Sequence, residues 1–196
     1  DVAGEWDAAA GRYTLTVRQS VPATPGQPEK QPMHLPLAVG LLDAEGNELP
    51  LSLDGEGPWE GGGTRVLAVR EAEQCFTFTG LSAEPVPSLL RGFSAPVRLH
   101  CDYSDADLAF LLAYDTDLFN RWEAGQELAR RALFGCVAAH QQGAPMNVDP
   151  ELTRAFGALL RQEGADKALV AEVLTLPDEA YLADLMAAPV DPDAIH

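Results

Sequence analysis

The pattern of apolar and polar positions changes period once along the chain. Up to about residue 101 apolar residues alternate with polar ones in short runs between Gly and Pro breaks, and beyond residue 104 they recur every three or four positions. Tyr13, Leu15 and Val17 alternate with Thr14, Thr16 and Arg18, which predicts a strand over residues 12–19 with one buried face. Residues 21–36 carry Pro22, Pro25, Pro28, Pro32 and Pro36 and read as a semi-rigid loop, because proline removes the backbone donor a ladder needs. Residues 35–42 form an apolar strand, a turn over 43–47 follows, and residues 48–53 are expected to return as the second arm of a hairpin. Strands are predicted over 65–69 and 74–79, with residues 84–90, EPVPSLL, as a Pro-broken crossing loop. Val97, Leu99 and Cys101 then alternate with Arg98, His100 and Asp102, which predicts a last strand leading to Ser104.

Six or so strands at this spacing suggest an antiparallel β-sandwich of the immunoglobulin-like kind, without the Cys-Trp-Cys hallmark of antibody domains. Ser104, with Asp107 three residues on, is the N-cap of a helix over 105–113 using Leu108, Leu111 and Leu112. Asp117 caps the longest helix, with Leu118, Trp122, Gly125, Ala129, Ala132, Cys136 and His140 on an expected apolar face. Asp149 and Pro150 open a third helix through Leu152, Ala155, Phe156, Leu159 and Leu160. Asp166 opens a fourth through Val170, Val173 and Leu174; Pro177 and Asp178 a fifth through Leu182 and Leu185; Asp191 and Pro192 begin another. Short loops between these helices predict antiparallel pairs of an α-solenoid-like array. The fold class is thus multidomain, all-β followed by all-α, with a β-sandwich over 1–102 and the N-terminal part of a larger helical domain over 103–196. An array that stops at an unfinished helix, and a start at Asp1 rather than Met, are expected of a piece of a longer chain.

The formal charge of -17 shifts the picture toward an acidic surface. Residues 1–100 hold 13 acids against 7 bases and residues 101–196 hold 17 against 6, so the expectation is neither nucleic-acid nor anionic-membrane binding, which need clustered Lys and Arg. Cys75, Cys101 and Cys136 are odd in number and widely spaced, fitting a reduced, cytoplasmic protein. No run of 18 apolar residues offers a membrane span.

Candidate chemistry is sparse. His34, His100, His140 and His196 lack HExxH or any second ligand at metal spacing. His100 and Cys101 are neighbours on an expected strand and face opposite sides. Cys136 and His140 share a helix face at i, i+4, where a small buried Cys is the commoner use of such a position. The acids Asp105, Asp117, Asp149, Asp166 and Asp178 are accounted for as helix caps. The Gly-rich residues 54–63, DGEGPWEGGG, match no phosphate-binding motif and read as a hairpin tip. Catalytic, cofactor-binding and metal residues are therefore expected to number none, and an independent Ig-like protein-binding module is the alternative use of such a chain.

YTLTVRQSVPATPGQPEKQPMHLP (residues 13–36), PVPSLLRGFSAPVRL (85–99), FNRWEAGQ (119–126), AAHQQGAP (138–145) and EVLTLP (172–177) run in an order and spacing that resemble bacterial aminopeptidase N, a zinc metallopeptidase family of the gluzincin type. The resemblance covers nearly the whole chain. It implies that residues up to about 99 correspond to the β-sandwich that follows a thermolysin-like catalytic domain, and residues from about 104 to the first helices of the C-terminal helical domain. Family members hold zinc with HExxH and a downstream Glu, read the peptide amine with a Gly-Ala-Met-Glu-Asn loop, and steady the oxyanion with a Tyr. The two sequence motifs are absent here, so no site residue carries over. What the resemblance implies is a non-catalytic spacer and wall. Its partners would be the catalytic domain and remaining helices of the same chain, with zinc and peptide substrates belonging to the parent enzyme. The Pro-rich stretch 22–36 is expected to pack on that catalytic domain.

Overall fold

The computed structural model describes residues 1–196. They divide into two compact units, Asp1–Tyr103 and Ser104–His196.

The first unit is a sandwich of two three-stranded antiparallel sheets. One holds β1 (Val2–Asp7), β2 (Arg12–Arg18) and β5 (Glu73–Thr79) in the order β1-β2-β5. The other holds β3 (Leu35–Leu42), β4 (Arg65–Val69) and β6 (Val86–Leu89) in the order β4-β3-β6. Val2 faces Val17, Arg18 faces Glu73, Leu35 faces Val69, and Val39 faces Leu89 across the ladders. Side chains alternate across each strand, so one face of each sheet turns inward. Leu15, Val17, Val39, Leu41, Leu67, Val69 and Phe78 meet there in one continuous apolar core.

The strand count matches the sequence expectation, but two members differ. Residues 48–53 are not the second arm of a hairpin: Pro50 interrupts them, and they cross between the sheets. The Leu49 amide donates to the Leu41 carbonyl of β3, whereas the Ser52 carbonyl accepts from the amide of Thr79 on β5, at the edge of the other sheet. Residues 97–101 keep the expected alternation of burial but form no strand. Their contribution is a single parallel bridge between Val2 and Cys101.

In their place stand β1 and β6. Both are edge strands, where propensity and alternation are weakest. Only Val2 is buried along β1, and Gly4 there lies under the Tyr13 ring, an added Cβ falling 1.8 Å from Tyr13 Oη. β6 contains Pro87, which an edge strand tolerates because its outward side needs no donor; the Pro87 carbonyl instead accepts from Tyr103 Oη at 2.8 Å.

The second unit contains α1 (Asp105–Tyr114), α2 (Leu118–Gln141), α3 (Pro150–Arg161), α4 (Lys167–Leu174), α5 (Glu179–Leu185) and α6 (Pro192–Ile195). Every expected cap is present. Ser104 and Asp107 form a reciprocal capping box, and the side chains of Asp117, Asp149, Asp166, Asp178 and Asp191 each accept from a first-turn amide. α2 is the spine, packing on α1, α3, α4 and α6.

Its buried face is rotated from the expected one: Asn120, Arg121, Ala124, Gly125, Leu128, Ala129 and Val137 are buried, whereas Leu118 is 53% exposed. Arg121 occupies the stripe because its guanidinium has hydrogen-bonding work there, which hydrophobic periodicity does not register. Leu160 of α3 is likewise exposed, leaving Leu152 and Leu159 as that helix's buried anchors.

Candidate functional site

The residues with candidate chemistry do not assemble. His34 and His100 are exposed in the sandwich unit, and His140 and His196 are exposed in the helical unit. His196 Nδ1 lies 3.0 Å from Glu179 Oε1, and that hydrogen bond raises the imidazole pKa. Cys136 is half-buried on α2 with its Sγ 4.0 Å from the Asn147 carbonyl, and it makes no hydrogen bond with His140. Cys75 is exposed beside the Thr16 hydroxyl, and Cys101 is half-buried; all three cysteines are free. No three His, Cys, Asp or Glu side chains converge as a metal site would require. No helix is long and apolar enough to cross a membrane.

What the structure does build is a set of buried arginines that fix loops to the framework. Arg91 follows β6 in a tight turn in which Leu90 (φ 57°) and Phe93 (φ 52°) adopt the left-handed region, strained for side chains of their size. Its guanidinium is buried. Nε donates to Ser88 Oγ at 2.8 Å, and one terminal nitrogen donates to the Gly63 carbonyl at 2.8 Å, to Thr64 Oγ1 at 3.0 Å and to Glu48 at 3.2 Å. The group lies flat on β3, where Gly40 leaves room for it: a Cβ there would fall 2.2 Å from Arg91 Cζ. One side chain thus ties β6, β3, the crossing segment and the Gly-rich loop together, with charged hydrogen bonds stronger than neutral ones.

Arg65 does similar work at the other end of that loop. It donates to the Leu51 carbonyl at 2.9 Å, pairs with Glu56, and lies 4.7 Å from the Trp59 ring centre. The loop at 54–63 is therefore pinned at both ends.

In the helical unit Arg121 donates to the Leu112 carbonyl at the end of α1 and to Gln162 after α3, both at 2.8 Å. Burial pulls its pKa down, and the nearby Asp115 carboxylate opposes that. Arg131 joins Asp105 at the start of α1 to Glu127; burial works against its charge, but these bonds outweigh it and the pKa is raised. Gln126 donates to the Thr175 carbonyl at 2.9 Å, and Gly125 allows α4 to approach, an added Cβ lying 2.7 Å from Val173 Cγ1.

Arg65, Arg91 and Arg121 escape a sequence reading because single arginines beside apolar residues look like solvated ends of strands or helices. Only Ser88, three residues before Arg91, is a local cue; Gly40 and Gly63 for Arg91, Leu51 for Arg65 and Gln162 for Arg121 lie far off in sequence.

A cleft of about 430 Å³ opens in the sandwich unit. Val17, Leu37, Val69 and Leu90 line it from both sheets, the Pro-rich loop contributes Pro22 and Met33, and residues 95–100 close the remaining side. Gln19 holds the loop in place: its side chain accepts from the Met33 amide and donates to the Met33 carbonyl, both at 2.8 Å, and to the Glu71 carbonyl at 3.1 Å. The amide thus acts as a rung that proline-rich backbone cannot supply.

Comparison with known proteins gives a consistent answer for both units. Residues 1–102 match a family described as a domain of unknown function (DUF3458) with an Ig-like fold, and residues 105–196 match its companion DUF3458_C, described as ARM repeats. The chain is 42% identical over 194 residues to the protein named Aminopeptidase N of Escherichia coli (strain K12), covering 99% of this chain and 22% of that protein. It is 38% identical over 194 residues to Aminopeptidase N of Haemophilus influenzae, again with 22% of that protein covered, and 42% identical over 192 residues to that of Caulobacter vibrioides, with 20% covered. Among solved structures, Legionella pneumophila aminopeptidase A in complex with aspartic acid superposes with a TM-score of 0.74 at 28% identity, over 99% of this chain and 20% of that one. The chain therefore spans about a fifth of the length of these relatives. An Ig-like sandwich run directly into ARM-type helices, matched along its length by one segment of bacterial aminopeptidase N, makes this chain a member of the DUF3458 family with its DUF3458_C continuation.

Proposed function

We propose that this chain is the non-catalytic part of a zinc-dependent aminopeptidase, in which a sandwich domain over 1–102 positions a helical domain over 103–196 so that it encloses an active site built elsewhere in the polypeptide. The observation that carries this reading is the alignment of 97–99% of the chain with a single stretch of enzymes named Aminopeptidase N. The parent enzyme would remove N-terminal amino acids from peptides in the cytoplasm, with zinc held by its catalytic domain.

The physical role is mechanical. Enclosure of a reacting centre depends on walls held to within fractions of an ångström, and a framework with arginine-pinned loops is suited to that. The exposed residues 23–29 of the Pro-rich loop are the part we assign to packing on the catalytic domain. Deleting them from the parent enzyme should loosen domain docking; unchanged activity and melting would remove that assignment.

The test of the whole reading is hydrolysis of an aminoacyl chromogenic amide with added zinc. The 196-residue chain alone should be inactive, and mixing it with the separately produced remainder of the enzyme should restore or alter turnover. Chelator-sensitive turnover by this chain alone would overturn the reading.

A further inference from the structure

The cleft of the sandwich unit combines four features that point to an occupant. Its floor is apolar and contributed by both sheets, through Val17, Leu37, Val69 and Leu90. Its volume, about 430 Å³, lies in the range that receives several side chains of a ligand or docked segment. Its walls are stiff, since proline limits the loop and Gln19 clamps Met33 by both backbone groups, so little ordering would accompany binding. Met33 nonetheless remains 55% exposed at the rim.

The fourth feature is charge. Within this acidic unit Arg12, Arg18, Arg65 and Arg91 are each paired with a carboxylate. Arg70 and Arg98 are exposed and pair with no carboxylate, and of these two only Arg98 stands on the rim of the cleft.

We infer that the cleft seats an apolar segment bearing a carboxylate, supplied by the part of the longer polypeptide that the aminopeptidase relatives possess outside the matched stretch, with the carboxylate meeting Arg98. The inference rests on the proposed function for the source of the segment. The relatives are four to five times the length of the stretch they share with this chain, so such a segment would be covalently tethered, and tethering lets a modest apolar contact persist.

Met33 supplies the readout. Its oxidation by hydrogen peroxide is followed by mass spectrometry in the 196-residue chain and in the full-length polypeptide that contains it. In the full polypeptide Met33 should react about tenfold more slowly, because oxidation then needs local opening of the docked segment. Arg98→Glu, at an exposed position without a partner, should leave folding intact and speed Met33 oxidation several-fold in the full polypeptide only.

Equal Met33 rates in the two proteins would overturn the inference, as would protection that Arg98→Glu leaves untouched. Protection of Met33 that rises with concentration in the 196-residue chain would also overturn it, by assigning the cleft to a second copy. Aminoacyl amide hydrolysis, measured on the same samples, separates the two claims. An active full polypeptide with unprotected Met33 refutes the docked segment alone, and an inactive one with protected Met33 refutes only the aminopeptidase reading.

Discussion

The two units solve burial differently. The sandwich closes on itself: its two sheets cover each other's inner faces, and its core is a single cluster drawn from both of them. The helical unit buries far less of what it has. Of the twelve large apolar side chains that stand exposed, nine belong to it, from Tyr114 and Leu118 to Tyr181 and Val190. A sheet pair is a closed arrangement, whereas helices of an ARM-type array bury one face on each neighbour and show another. The difference teaches that the first unit owes its stability to its own core, and that the second relies more on caps and on polar ties such as those of Arg121 and Arg131.

The strongest way to break this comparison is through the sandwich core. Phe78→Ala removes a fully buried ring and should cost about 3–5 kcal/mol, enough to unfold the sandwich in mild denaturant. Near-ultraviolet signals of the sandwich should melt early while helical far-ultraviolet signal persists; simultaneous loss of both would show that the helical unit has no stability of its own.

A matched pair of glycines sharpens the contrast. Gly40→Ala would drive a methyl into the Arg91 guanidinium, which several hydrogen bonds hold in place, and should cost about 2–3 kcal/mol in urea unfolding. Gly125→Ala presses on the fully buried, β-branched Val173, but it touches no hydrogen-bonded charge and improves helix propensity by about 1 kcal/mol, so the net cost should be about 1 kcal/mol, below that of Gly40→Ala. Equal losses would contradict the fixed placement assigned to the Arg91 guanidinium.

Surface apolar residues of the helical unit should matter least to folding. Leu160→Asn, at a position 62% exposed, should shift stability by no more than about 0.5 kcal/mol in either direction. A larger loss on thermal melting would mean that Leu160 is covered in solution.

The turn after β3 gives the smallest effect and a pH signature. The Asp43 carboxylate accepts from the Asn47 side chain and backbone, which lowers its pKa. Its contribution is present above the ordinary carboxylate range and is lost as pH falls through the lowered value. Asp43→Ala should therefore weaken the protein slightly at neutral pH, with the difference from wild type shrinking in acid; a difference that grows in acid would refute the assignment.

Much of the fold was legible from particular residues. Tyr13, Leu15 and Val17 placed β2, and the run at 35–42 placed β3, because both are inner strands whose alternation or continuous apolarity reports burial directly. The aspartate caps placed the helix starts, since an N-cap is a local device. β1 and β6 were not legible: an edge strand buries little, and Pro87 looks like a break until a neighbour on one side only makes it harmless. The α2 face is not legible because Arg121 is buried through a partner distant in sequence, Gln162. The cleft was not legible, because Val17, Met33 and Arg98 come to line one space only when β2, the loop and the last extended segment meet.

The sequence by itself determined the change from period two to period near four at residue 104, the inner strands, the helix caps and the family resemblance, since all of these are written in adjacent or regularly spaced residues. Only the tertiary structure decided which strands form the edges, how residues 48–53 cross between sheets, what Arg65, Arg91 and Arg121 hold, and that a stiff apolar cleft exists beside an unpaired arginine. Those depend on contacts between residues tens of positions apart, and a one-dimensional pattern carries no record of which distant groups a buried charge will meet.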